Sequence, residues 1–172
     1  MVDDLIDTRR EEPVFVLDER TMLESWLEFH RVTLELKCEG LSDEQLRRRP
    51  VETSALSLHG LVRHMAEVER GWFRRALLTQ PELPRIWSTV DGPDLAFLAL
   101  DNASWSTDLN VWRAECVMAR AAAAEFSLND TGMRHDQPCS LRWIYNHMIE
   151  EYARHNGHAD LIREMIDGAV GC

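Results

Sequence analysis

Leu141-Arg142-Trp143-Ile144-Tyr145-Asn146-His147-Met148-Ile149-Glu150-Glu151-Tyr152-Ala153-Arg154-His155-Asn156-Gly157-His158 is the stretch on which the fold turns. Leu141, Ile144, Met148, Glu151, His155, Ala159, Ile162 and Ile166 step by three or four, which places them on one face of a helix. Ser140 is a natural N-cap for that helix and Gly168 a natural stop after about Asp167. Two members of this apolar line are a carboxylate and an imidazole. Glu151 and His155 lie four apart and are therefore neighbours on the helix surface. The pattern predicts that both face inward.

The rest of the chain supplies partners for such a helix. Asp18 caps a first helix from Glu19 to about Glu39, with Met22, Leu23, Trp26, Leu27, Val32, Leu34 and Leu36 on it and Gly40 as its stop. Residues 42–46 read as a short turn capped by Ser42. Ser57 opens a second long helix to about Thr79, with the stripe Leu58, Leu61, Met65, Val68, Trp72 and Ala76. His64 stands beside Met65 at the edge of that stripe. A third helix runs from about Ser106 to Phe126 and carries an alanine run at 121–124, suited to a close helix approach.

Residues 80–103 hold Pro81, Pro84, Gly92 and Pro93 and no sustained period. A connection this long is uncommon inside a compact domain and suits a crossover that lets helices two and three run parallel. Residues 1–17 read as an irregular arm, and no stretch reads as a strand. The expectation is all-α: one domain over residues 1–172, a four-helix bundle with a long crossover between helices two and three.

Composition narrows the function. Thirty acidic residues against nineteen basic ones give a net charge of −11, which repels a phosphate backbone and argues against nucleic acid as a partner. No apolar run approaches the roughly 20 residues that span a bilayer, so no membrane partner is expected. The N-terminus Met1-Val2-Asp3-Asp4 has no signal-like apolar region. The cysteines at 38, 116, 139 and 172 show no Cys-x-x-Cys spacing. Scattered cysteines read as reduced thiols in a cytoplasmic protein, small buried hydrophobes more readily than nucleophiles.

A carboxylate and an imidazole on an apolar face need compensation. Pairing with each other is one solution, and binding a divalent metal is another. A metal needs a third ligand from another helix, and His64 is the best candidate. His158 follows His155 by three and is the alternate ligand. His147, one turn before Glu151, is a neighbour that supports a ligand from behind. His30, His59 and His135 read as surface or packing residues. Two imidazoles, one carboxylate and an open position suit zinc first, and also iron, nickel or manganese, in a catalytic centre.

Three segments carry a resemblance: Asp18-Glu19-Arg20 with Gly40-Leu41-Ser42; Leu58-His59-Gly60-Leu61-Val62-Arg63-His64-Met65-Ala66-Glu67-Val68-Glu69; and Leu141-Arg142-Trp143 with His147 through Asp160. The chain resembles the DinB-like superfamily, in its mycothiol transferase subgroup, related to the N-terminal domain of mycothiol-dependent maleylpyruvate isomerase. The resemblance implies an up-down-down-up bundle and matches the family's ligand positions at His64, Glu151 and His155. Glu151 departs from the commoner three-histidine form and follows the isomerase branch. With the chain ending at Cys172, the isomerase's additional domain is not expected, nor is maleylpyruvate isomerisation.

The implied chemistry is metal-assisted activation of a small thiol, mycothiol, which is then conjugated to an electrophile, as in detoxification. Trp72, Trp143 and Tyr152 are candidates to line a pocket beside the metal, with plain core packing as the alternative. A metal-dependent hydrolase and a non-catalytic, stress-related bundle are the competing readings. The superfamily is compatible with a homodimer, although no sequence stripe marks an interface.

Overall fold

The computed structural model describes residues 9–88 and 95–171. The first eight residues of the expected arm, Gly92 and Pro93 of the connection, and Cys172 lie outside the described residues. The chain is mainly helical: α1 (Glu19–Cys38), α2 (Asp43–Arg47), α3 (Leu58–Glu69), α4 (Leu95–Leu98), α5 (Trp105–Ala124) and α6 (Leu141–Asp167).

Local chemistry sets the helix starts. Asp18 Oδ1 accepts from the Thr21 amide at 3.1 Å, Ser57 Oγ from Gly60 at 3.1 Å, and Ser140 Oγ from Trp143 at 3.2 Å. Each satisfies one of the amides a helix start leaves orphaned. Ser42 and Gln45 form a reciprocal capping box on α2. The third long helix begins slightly earlier than its pattern suggested, because Ser104 accepts from Thr107 and takes the cap. At the other end of α6, Gly168 adopts φ +81° and its amide reaches Glu164 O at 2.9 Å.

α3 does not end at Glu69. It continues as a π-helical segment, Arg70–Leu77. A wider turn keeps positions four apart on one face, so the buried line runs Met65, Glu69, Phe73, Leu77. The regular helical period placed Trp72 on this line. Trp72 is instead half-buried and turned aside, and Phe73 fills the core.

The expectation of no strand is corrected. Thr131–Arg134 (β1) and Gln137–Ser140 (β2) pair antiparallel, with Arg134 opposite Gln137. The two turn residues, His135 and Asp136, take φ +48° and +61°, as a primed hairpin turn requires. Their sequence lacks the Asn-Gly or Asp-Gly signature that normally announces such a turn. Gly132 lets the hairpin dock: a Cβ there would fall 2.2 Å from Ala76 O and 2.5 Å from Leu77 Cα.

α1 packs most extensively on α6, and α3 on α5; α3 also meets α6 and α1. Leu27, Leu34, Leu61, Met65, Trp112, Ala119, Ile144 and Met148 share the core. Each fully buried large apolar side chain contributes about 1.5–3 kcal/mol. Ion pairs Glu28–Arg120 (2.6 Å) and Glu35–Arg113 (2.5 Å) join α1 to α5 at the surface. The connection before α5 is pinned as well as long. Glu67 Oε1 accepts the amides of Ile86, Trp87 and Ser88 at 2.8, 2.7 and 3.1 Å. Among the described residues, no helix is long and apolar enough to cross a membrane.

Candidate metal centre

On α6 the anticipated line is in the core at Leu141, Ile144, Met148, Ala159 and Ile162, and departs from it in the polar middle of the helix. Tyr152 and Asn156 are buried, whereas Glu151 and His155 are half-buried at the groove between α6 and α3. The pair therefore faces inward only as far as the edge of the core, with the Glu151 side chain 23% exposed and that of His155 11%. Three- and four-residue steps leave two adjacent lines along α6, and the polar core selects between them.

That core is a five-residue network. Arg31 grips Glu69 in a fork, Nε to Oε1 at 2.8 Å and Nη2 to Oε2 at 2.7 Å. The Tyr152 hydroxyl donates to Glu69 Oε1 at 2.7 Å, and Trp112 Nε1 donates to that hydroxyl at 2.9 Å. Cys116 Sγ lies 3.7 Å from the same carboxylate oxygen. Burial, followed by the nearby Glu69 charge, holds the Cys116 thiol well above its usual range. Burial also raises Cys38 and Cys139. Thiols protonated in this way are poor nucleophiles. Tyr152 belongs to the network and is fully buried in the core.

At the groove, ligand atoms of His64, Glu151 and His155 all lie within 4.8 Å of one another. His155 Nε2 is 3.5 Å from Glu151 Oε2. Two ligands at tetrahedral angles, each about 2.0–2.1 Å from a zinc ion, stand about 3.3 Å apart. The His64 and His155 rings meet edge-on, centroids 4.8 Å apart at 69°, and the Phe97 ring lies 5.1 Å from that of His64. Two nitrogens and one oxygen converging from two helices fit a divalent metal of the zinc type.

The carboxylate is held on both oxygens. His147 Nε2 lies 3.4 Å from Glu151 Oε1, opposite the oxygen that faces His155. The hydrogen bond with His155 lowers the Glu151 pKa against the opposing effect of burial, and the charges of His147, His155 and His64 add to the lowering. His158 approaches the other nitrogen of His155, Nδ1 to Nδ1 at 3.3 Å. Burial, then the charges of His155 and Arg154, lower the His158 pKa. The ring of His147 is stacked on Trp143 (4.9 Å, 15°) and edge-on to Trp72 (4.6 Å, 66°). Glu150 also comes within reach of His147 and Glu151, and it pairs with Arg154 on the surface.

Of the histidines set aside in the sequence, His135 sits in the hairpin turn and His30 is half-buried, with Asn156 Nδ2 reaching its carbonyl at 3.0 Å. His59 is fully buried, its Nε2 2.8 Å from Asp108 Oδ2 and its ring edge-on to Trp105. It is no surface residue. Nothing local pointed to Asp108, 49 residues away.

A family model described as Mycothiol-S-transferase matches residues 22–168. No curated protein and no solved structure matches the chain. The matched segment runs from the first turns of α1 to the Gly168 stop, taking in both helices of the groove. This chain belongs to the mycothiol-S-transferase family, a DinB-like family.

Proposed function

We propose that the chain is a single-domain, up-down-down-up four-helix bundle that transfers mycothiol to an electrophilic small molecule in the cytoplasm. In this reading His64, Glu151 and His155 hold one divalent metal, zinc first. The observation that carries it is the convergence of those three side chains from α3 and α6 within 4.8 Å. A metal held there would lower the pKa of a thiol bound to it and so supply a sulfur that is nucleophilic at neutral pH.

The protein's own residues do the rest. Glu151 stays ionised because His155 and His147 flank its two oxygens. His158, on the far nitrogen of His155, selects which ring nitrogen turns toward the groove. Phe97 packs against the His64 ring. The thiol gives up its proton to solvent, its sulfur forms the new C–S bond, and the electrophile's leaving group departs with the electron pair of the bond that breaks. Buried Cys116 and Cys38 take no part, since their thiols stay protonated.

The test is a conjugation assay with zinc-loaded protein, mycothiol and a halo-nitrobenzene or bimane. Thiol-dependent product above the uncatalysed rate is expected, and its loss in His64→Ala and His155→Ala. Metal-dependent hydrolysis without thiol consumption would replace this reading with a hydrolase.

A further inference from the structure

A second cavity opens beside the groove, with a volume of about 580 Å³, lined by Trp72, Arg134, Gln137, Cys139, Ser140 and Trp143 among others. Its far wall is the hairpin, which Gly132 seats against the π-helical segment. Arg134 lies over the Trp72 ring at 4.1 Å and donates from Nη1 to Gly71 O at 3.3 Å. Trp143 rests one face on His147 and remains 49% exposed. The cleft is therefore a built one: two braced indoles, a guanidinium, an amide and a hydroxyl, with no carboxylate among the lining residues.

One face of α6 joins the cleft to the metal centre. Trp143, His147, Glu151 and His155 follow each other at i, i+4 along one face of α6. Eight residues separate Trp143 from Glu151, an axial distance of about 12 Å. Trp72 likewise lies eight residues beyond His64, on the π-helical segment that continues α3. A single-ring electrophile seated on Trp143 is too short to reach a sulfur held at the triad. A thiol that carries its sulfur at one end of a longer polyhydroxylated body has the required reach. Flat aromatic faces ringed by hydrogen-bond donors match the C–H faces and hydroxyls of such a body. The absence of a carboxylate disfavours a cationic occupant.

We infer that the Trp72–Trp143 cleft seats the sugar–inositol body of the thiol substrate while its sulfur reaches the His64–Glu151–His155 groove. This assignment rests on the thiol-transfer reading, but it is tested separately. The probe is glucosaminyl-inositol, the same body without its cysteine, titrated calorimetrically into wild-type protein, Trp143→Leu and Gln137→Leu. Wild type binds it. Trp143→Leu weakens it about tenfold, the scale of one lost stacking face, and Gln137→Leu, on the exposed strand, weakens it several-fold with no change in fold.

In turnover, the Trp143→Leu change raises KM for mycothiol by a similar factor, well beyond any effect it has with N-acetylcysteine, which lacks the sugar–inositol body. Equal affinity for the probe in all three proteins, or equal losses with both thiols, overturns the assignment. So does a Trp143-dependent site for the electrophile alone. If no thiol is transferred but probe binding still needs Trp143, the functional reading fails and the cleft assignment stands.

Discussion

The Tyr152 hydroxyl donates to Glu69 Oε1 over 2.7 Å, and this bond ties together the two helices that carry the candidate ligands. Tyr152 immediately follows Glu151 on α6, and Glu69 stands five residues after His64 on α3. The buried network thus fixes how far apart and in what rotation the groove's two walls stand. Tyr152→Phe removes one donor from Glu69 and the acceptor of Trp112. The expected cost is about 1–3 kcal/mol in urea unfolding. Glu69→Ala, which takes the two-pronged partner from buried Arg31 and leaves it the bond to Glu28, costs about 3–5 kcal/mol. Unfolding free energies for both within about 0.5 kcal/mol of wild type would show that the network does not hold the helices.

Metal content separates ligands from supporters. Protein prepared without chelators or nickel resin is expected to carry about one equivalent of divalent metal. His64→Ala, Glu151→Ala and His155→Ala should each bring elemental analysis close to zero. Stripping the metal from wild type lowers the melting temperature, since a ligand at a hundredfold excess over its Kd stabilises by about 2.7 kcal/mol. Full occupancy in the three variants would remove the ligand assignment.

His158 touches His155 on the nitrogen away from Glu151, so its removal should weaken metal rather than abolish it. His158→Ala is expected to raise the metal Kd by about 10–100-fold, the usual cost of losing such a support. A complete loss, with His64→Ala retaining metal, would make His158 the third ligand.

His59 links stability to pH. Burial lowers its folded pKa, and the Asp108 carboxylate only partly opposes that. The unfolded chain therefore takes up a proton near the ordinary histidine pKa, and the folded chain does so only at lower pH. Stability falls as pH drops below about 6.5, by at most about 1.4 kcal/mol per pH unit, until the folded pKa is passed. His59→Gln should remove this component from the slope of unfolding free energy between pH 6.5 and the folded pKa. An unchanged slope would assign the effect elsewhere.

Gly132 has no room for a methyl group against the backbone of Ala76 and Leu77. Gly132→Ala should lift the hairpin and cost about 1–3 kcal/mol, as overpacking does. Faster amide exchange in β1 and β2, with a changed tryptophan emission from Trp72, is the expected signature. Wild-type exchange rates would mean that the hairpin docks by other means.

The sequence by itself determined what depends on neighbours along the chain. The caps at Asp18, Ser42, Ser57 and Ser140, the stop at Gly168 and the extent of α1 and α6 were legible, because capping and helical periodicity are local. The spacing of Glu151 and His155 was legible for the same reason, and the motifs around His64 marked the family. What tertiary structure alone decided was absolute rotation and long-range pairing. A 3.6-residue period says which residues share a face but not which of two adjacent faces turns inward. Arg31, Glu69 and Trp112 settle that by drawing Tyr152 into the core and leaving Glu151 and His155 at the groove. The π-helical segment moved Trp72 beside Trp143 and His147, and the docked hairpin closed a cleft around the two indoles. Those outcomes depend on contacts between residues far apart in sequence, which no window of neighbouring residues contains.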